Sequence, residues 1–423
     1  MIYLLHIIKE IIIIPYLRIC YIISLRRLSS KTKKSPIDVL FFISEIAKWK
    51  AQSLYDLLES DKRFTPTICV YPMLKETKMT DNNISDVLND KVSYFQNKGM
   101  RVINIWDIQG RRIETSFFNS CGIIFYQQPW DIPPAPSPLK IAKNYLTFYI
   151  PYYLVNNFDK KLDLCLSLQR QVYRYIVLND TIKDFFLKQV WKNKFAGKII
   201  GLGHTCTDAF RIIKRKNKEF AVIYAPHFSF PYASVNRVLY YSTFLDNGEL
   251  ILDFAKTHRD VRWIFKPHPR LKSELEVTGV WSKEKIEQYY KEWETIGESC
   301  YSSDYQELFV NSDVMLTDCG SFLTEYACTG NPIIRMISPL LKLSPNPFVD
   351  ELYSTYYCVN NNDELKKALD MLIVQKKDPQ KEIRQNAIEK VGLGKSSAAE
   401  KIRDYLSDLL SNYNGRKFKT RYT

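Results

Sequence analysis

From Asp38 onward the chain alternates short apolar runs with amphipathic or polar stretches. The run "DVLFFI" is followed by the helix-like "AKWKAQSLYDLLES", then "TICVYP", a polar stretch of helical character, "MRVINIW", "GIIFYQ" and "LTFYI". Apolar runs of this length, spaced by helix-sized segments, predict a parallel sheet built from βαβ units. After a mixed region around Tyr173 to Lys198 the rhythm restarts with "KIIGL", "FAVIYAP", a helix near Ser242 to Lys256, "VRWIFKP", "DVMLTD", "PIIRM" and "TYYCV". Two such series predict an α/β fold of two Rossmann-like domains facing each other across a central cleft. The expected divisions are 1–34 as a separate apolar and basic segment, 35–190 as the first domain, 191–395 as the second, and 396–423 as a C-terminal helix with a basic tail.

Length supports the doubling, because 423 residues at 46% hydrophobic content exceed what one core ordinarily organises. A formal net charge of +14 favours anionic partners. There is no RNP-like sequence, Cys/His finger spacing or long Lys/Arg tract, which argues against nucleic acid. The nine cysteines are scattered singly, and Cys69, Cys121, Cys165 and Cys358 fall in apolar runs, so they read as reduced, buried thiols of a cytosolic protein.

The N-terminal stretch is rich in Ile, Leu and Tyr but interrupted by His6, Lys9, Glu10, Pro15 and Arg18, which argues against a transmembrane span. Its basic cluster of Arg26, Arg27, Lys31, Lys33 and Lys34 follows the apolar part, the reverse of a signal peptide. The pattern suits a segment lying in the membrane interface, with tyrosines at headgroup level and the cluster on an anionic lipid surface; the alternative is an apolar helix packed on the body of the protein. The expected location is the cytoplasmic face of the membrane, held peripherally.

Ligands of parallel α/β sheets sit at the carboxyl ends of the strands. Those ends are polar here. "KIIGL" runs into Gly203, His204, Thr205 and Asp208; "AVIYA" into Pro226, His227 and Ser229; "RWIF" into Lys266, Pro267, His268, Pro269 and Arg270; "VMLT" into Asp318, Cys319, Gly320 and Ser321. Three of five histidines thus fall at strand ends expected to share one sheet, which points to one site. The turn Thr317–Ser321 opens a helix whose first N–H groups and dipole suit a phosphate, with Thr317 and Ser321 adding hydroxyls and Gly320 allowing close approach.

The segments "YAPHFSF", "FKPHPRL" and "SDVMLTDCGSFLTEYACTGNPII", in that order, resemble the C-terminal motifs of the CDP-glycerol glycerophosphotransferase family, the teichoic-acid primases and polymerases. In the same family "GLGHTCTDAF" corresponds to a Gly-x-Pro-x-x-Asp element, with Gly203 and Asp208 retained. The resemblance spans roughly Asp38 to Cys358, strongest from Lys198. It implies a GT-B fold, peripheral membrane association, and transfer of a polyol-phosphate group from a CDP-activated donor to a lipid-linked or polymeric cell-surface glycan, releasing CMP. Two places depart from it. The family's Trp-His-Gly-Thr element is replaced by "FYIPYYL", so no residue is carried over for its histidine, and Cys319-Gly320 stand where the family has Tyr/Ser. Two alternatives stay open: a GT-B glycosyltransferase of capsule or surface-polysaccharide assembly, and a non-catalytic nucleotide-binding module at the membrane.

Phosphoryl transfer needs in-line positioning, charge stabilisation and a destination for the hydroxyl proton. His268 is the first candidate for binding or protonating the pyrophosphate, with Lys266 and Arg270 as fixed charge and His227 or His204 as base. Thr317, Asp318, Gly320 and Ser321 are expected to hold phosphate or ribose, and Glu325 to accept ribose hydroxyls. There is no Asp-x-Asp and no zinc spacing, so neither metal nor cofactor is required. In the first domain Ser44, Glu45, Lys48, Gln127, Gln128, Trp130 and Asp131 lie after strands, on the expected acceptor side.

Overall fold

The computed structural model describes residues 2–32, 34–114, 116–130, 137–154, 158, 160–164, 166–189, 197–231, 240–301, 305–341, 346–394 and 396–411. It divides into two compact units: Met1–Tyr153 with Asp159–Asp208 and Ser396–Thr423, and Leu154–Phe158 with Ala209–Lys395. The first contains strands β1 (Ile37–Ile43), β2 (Phe64–Val70), β3 (Val102–Asn104), a small hairpin of β4 (Trp106–Asp107) and β5 (Arg112–Ile113), then β6 (Gly122–Tyr126), β7 (Tyr145–Tyr149), β8 (Arg174–Val177) and β9 (Ile199–Gly201). The second contains β10 (Ala221–Ala225), β11 (Arg262–Phe265), β12 (Glu298–Ser299), β13 (Val314–Thr317), β14 (Ile333–Met336) and β15 (Tyr357–Val359).

Both main sheets are parallel, in the orders β3-β2-β1-β6-β7-β8-β9 and β12-β11-β10-β13-β14-β15. Their central strands are buried along their whole length in β6, β7, β10 and β13, as expected when helices cover both faces of a sheet. Strand order reverses between β1 and β6 in one sheet and between β10 and β13 in the other. Each unit therefore has one topological switch point, the place where α/β sheets open a crevice.

The two cores form independently. In the first unit Val39, Phe41 and Phe125 pack with Leu54 and Tyr55 of the helix Gln52–Glu59 and with Tyr405, Leu406 and Leu409 of the C-terminal helix Ala398–Ser411. In the second, Tyr224, Trp263 and Phe265 pack on Trp293, with the Phe265 and Trp293 rings stacked 4.9 Å apart.

Three expected boundaries shift. β9, the "KIIGL" run, does not open the second sheet; Tyr175 to Val177 pair with Ile199 to Gly201, so it closes the first, and the division falls at Asp208 instead of residue 190. The C-terminal helix is no appendage. Asp208 accepts the Ala398 and Ala399 N–H groups at 2.8 and 2.9 Å and so caps it, while Gly203, at φ +101°, leaves room where a Cβ would lie 2.7 Å from that of Ala398. The N-terminal segment is likewise part of the first unit. A helix runs from Ile2 to Lys31 through Pro15, and it buries Leu17, Cys20, Tyr21, Leu25 and Leu28. The Tyr21 hydroxyl meets Thr147 Oγ1 at 2.6 Å and donates to the Gln171 carbonyl at 2.7 Å. Among the described residues no helix is long and apolar enough to cross a membrane. Of the thiols expected to be reduced and buried, Cys69 is buried as expected, while Cys121 is half-buried and Cys358, on the edge strand β15, is exposed; all three are free, and Cys165 and the basic tail lie outside the described residues.

Candidate functional site

The second unit brings three of the four expected strand ends, those of β10, β11 and β13, to one edge at its switch point, and hydrogen bonds from main-chain N–H groups lace their loops together. The His268 N–H after β11 donates to the Pro226 carbonyl after β10 at 3.0 Å, and the His227 N–H after β10 donates to Asp318 Oδ1 after β13 at 2.5 Å. Asp318 Oδ2 accepts the Thr243 N–H at 2.7 Å and its hydroxyl at 3.3 Å, which fixes the start of the helix Phe244–Thr257. Asp318 was expected to meet a ribose hydroxyl. It is 4% exposed and both its oxygens point into the fold, so it positions the site from within. Burial pushes its carboxyl up to about 7, against the pull of the Thr243 and His227 N–H groups.

Thr317 is also turned inward: its hydroxyl donates to the Ala225 carbonyl at 2.7 Å and accepts the Cys319 N–H at 2.9 Å. The helix Gly320–Ala327 begins at Cys319, which contributes no side-chain cap, and Ser321 is exposed at its first turn. Gly320 has a local reason, since an added Cβ would lie 3.0 Å from the Tyr241 ring. One turn on, Glu325 is buried and accepts the Tyr305 hydroxyl at 2.7 Å. Lys266 is buried beneath it, its Nζ 5.3 Å from the Tyr305 ring centroid and 5.9 Å from that of Phe322. The Arg270 guanidinium pairs with Glu274 and stacks 4.5 Å from the Phe228 ring centroid. The charges read from sequence are present, yet Glu325, Lys266 and Arg270 are each engaged by a neighbour.

The histidines share a device. His227 Nδ1 accepts the Ser229 N–H at 3.2 Å, His268 Nδ1 accepts the Arg270 N–H at 3.1 Å, and His204 Nδ1 accepts the Cys206 N–H at 3.3 Å. In a neutral ring so engaged the proton resides on Nε2, a tautomer assigned from these bonds. Burial, and then the Arg270 and Lys266 charges, push His268 down to about 4, so it is neutral at pH 7 and presents an N–H donor. Its ring centroid lies 5.0 Å from that of His227. His204 does not join them. It follows β9 in the first unit, is 2% exposed, and is pushed by burial down to about 4. A general base needs a free ring nitrogen, and this tautomer leaves none on His227 or His204.

Beside His268 opens a pocket of about 570 Å³ lined by Pro267, Pro269, Lys272, Tyr290, Lys291 and Tyr301, a size suited to a small ligand. Across the site, at the end of β14, stands Arg335, a residue the sequence reading passed over. The signal was there: it is the one charged position in the buried strand "IIRM".

In the first unit Ser44 donates to Gln128 Oε1 at 3.1 Å across the β1–β6 switch point, and Gln127 Oε1 accepts the Lys50 N–H at 3.0 Å. The two carboxamide nitrogens, Gln127 Nε2 and Gln128 Nε2, are buried without a protein partner. Glu45 and Lys48 pair with each other at 2.8 Å, and Trp130 packs against Tyr152 and Tyr153. Asp131 lies outside the described residues.

No protein-family model matches the chain, and no curated protein matches it. Among solved structures it is similar to a UDP-N-acetylglucosamine 2-epimerase, at 13% identity over 92% of this chain and 99% of that chain, TM-score 0.56. It is also similar to a variant of the wall teichoic acid polymerase TagF, at 10% identity over 93% and 95%, TM-score 0.55. The same polymerase variant soaked with CDPG matches at 12% identity over 89% and 90%, TM-score 0.52. The chain has the GT-B fold. At these identities the likeness extends to fold alone; the neighbours are enzymes of that fold.

The lacing of this second unit is testable. Asp318→Ala orphans two N–H donors, one buried and one half-buried, and equilibrium denaturation should show a loss of about 2–6 kcal/mol at roughly 1–3 kcal/mol per group, whereas Ser321→Ala stays within about 0.5 kcal/mol.

Proposed function

We propose that this chain moves a glycerol-phosphate or related polyol-phosphate group from a CDP-activated donor to a lipid-linked or polymeric cell-surface glycan, releasing CMP. The observation that carries the reading is the pair His227 and His268, each with Nδ1 engaged by the residue two positions on and Nε2 left to donate, at the switch point beside the N-terminus of the Gly320 helix. Such a grouping suits a diphosphate, which needs several aligned donors and the positive end of a helix dipole. The acceptor oxygen bonds to the distal phosphorus, the bond from that phosphorus to the bridging oxygen breaks, and CMP leaves with the bridging oxygen and its electron pair. The acceptor proton passes to solvent or to CMP. A loose phosphoryl transition state asks more of positioning and charge than of a base, which accords with the histidine tautomers. The pocket beside His268 offers room for the nucleoside. The likeness to TagF, solved after a CDPG soak, supports the cytidine donor; that to UDP-N-acetylglucosamine 2-epimerase keeps a nucleotide-sugar donor as the competing reading.

At the membrane we propose peripheral attachment through the N-terminal helix, whose outer side leaves Tyr16, Ile19 and Ile22 exposed and whose end carries Arg26, Arg27, Lys31 and Lys34 around a shallow basic dish. Because the opposite side of this helix is core, the test uses surface substitutions.

With CDP-glycerol, CDP-ribitol and nucleotide sugars as donors and cell membranes as acceptor, CMP release from a CDP-polyol is expected. Release from nucleotide sugars alone replaces this reading with glycosyl transfer, and release from none overturns both. His268→Ala should slow transfer by about 100-fold or more, while His268→Gln, which keeps an N–H donor, stays within about tenfold of wild type. Equal loss in the two variants would contradict a donor role. In sedimentation with vesicles containing phosphatidylglycerol, Ile19→Asp/Ile22→Asp/Arg26→Ser/Arg27→Ser should bind at least about 30-fold more weakly than wild type, at roughly 1 kcal/mol per basic residue removed; unchanged binding would sink the attachment.

A further inference from the structure

Two arginines are buried among the described residues, and they differ in one respect. Arg384 pairs with Asp378 and donates from Nε to the Gly330 carbonyl at 2.9 Å. Arg335 is 7% exposed, and no acidic side chain among the described residues pairs with it. Its guanidinium lies 4.0 Å from the Tyr353 ring centroid and meets the Cys358 thiol. An aromatic face and a neutral thiol do not neutralise a charge. Buried charges are normally paired, because desolvating one without a counter-ion is costly.

The position of Arg335 says where the missing anion belongs. Ala225, Thr317, Arg335 and Cys358 form one row across β10, β13, β14 and β15, at the carboxyl end of the sheet. Thr317, the direct neighbour of Arg335 in that row, is followed by the turn into the Gly320 helix. Tyr353, over whose ring the Arg335 guanidinium lies, is within electrostatic range of Tyr241, the ring packed over Gly320. The edge therefore presents, in order, the pocket beside His268 at β11, His227 at β10, the helix N-terminus at β13 and Arg335 at β14. Three strand spacings cover roughly 14 Å, the reach of an extended nucleoside diphosphate.

We propose that Arg335 binds the distal phosphate of a nucleoside-diphosphate donor, the phosphate at which the transferred group is attached. This rests on the reading of the second unit as the donor site. The nucleoside lies in the pocket beside His268, the proximal phosphate meets His268, His227 and the helix N-terminus, and the distal phosphate completes the charge of the guanidinium, whose planar fork fits two phosphate oxygens.

Calorimetric titration of the full chain with CMP, CDP, UMP and UDP tests it, using wild type, Arg335→Met and Arg335→Lys. Because an unpaired buried charge is a burden to the fold, Arg335→Met should fold with unchanged or higher thermal stability in the absence of nucleotide. Its affinity for diphosphates should fall about 10- to 100-fold, the worth of a charge-assisted hydrogen bond, with monophosphate affinity within about twofold. Arg335→Lys, which keeps the charge without the fork, should fall between and serves should the Met variant not fold. Equal loss for mono- and diphosphates, or no loss for either, overturns the assignment. If wild type binds no nucleotide, the donor-site reading itself fails and this one with it. If it binds uridine but not cytidine nucleotides, the CDP donor fails while the comparison of UMP with UDP still decides Arg335.

Discussion

The second unit turns on one carboxylate. Asp318 lies at the reversal of strand order, where β10 and β13 send their following segments to opposite sides and leave a crevice. A crevice of that kind has unpaired main-chain groups on its walls, and Asp318 collects two of them, from His227 and Thr243. Through the first it sets where the His227 ring stands; through the second it sets where the helix Phe244–Thr257 begins. The cost is a buried carboxyl whose ionisation is resisted by its surroundings. The groups that face a ligand are then a different set from the groups that build the site.

That separation explains why the sequence was readable in kind but not in role. Fully buried parallel strands are continuous apolar runs, so "AVIYA" and "VMLT" announce themselves, and the polar residues after them mark the edge where ligands bind. Orientation is not written locally. Thr317 and Asp318 look like ligand contacts from their position, yet their partners are main-chain groups about 90 residues away in the chain. "KIIGL" looks like the start of a sheet because nothing within it shows that its partner is β8, whose "RYIV" lies in a stretch of mixed pattern. Gly203 and Asp208, on which part of the sequence resemblance rested, answer to the packing of a helix that returns from the far end of the chain.

The histidines show the same limit more sharply. Their placement at strand ends was visible, and two of the three do meet. Their protonation was not, because it depends on an N–H two residues later folding back onto Nδ1. This local turn converts an apparent base into a hydrogen-bond donor. A site made of hydrogen-bond donors, a helix N-terminus and a buried arginine is arranged to receive negative charge, in keeping with the proposed diphosphate.

The central claim is thus the state of His268. Long-range proton–nitrogen correlation spectra of histidine-labelled protein, assigned by comparison with His268→Gln, report directly which ring nitrogen carries hydrogen. At pH 7 and without ligand, the His268 ring should be neutral with its proton on Nε2. A protonated Nδ1, alone or as the imidazolium, would contradict the account.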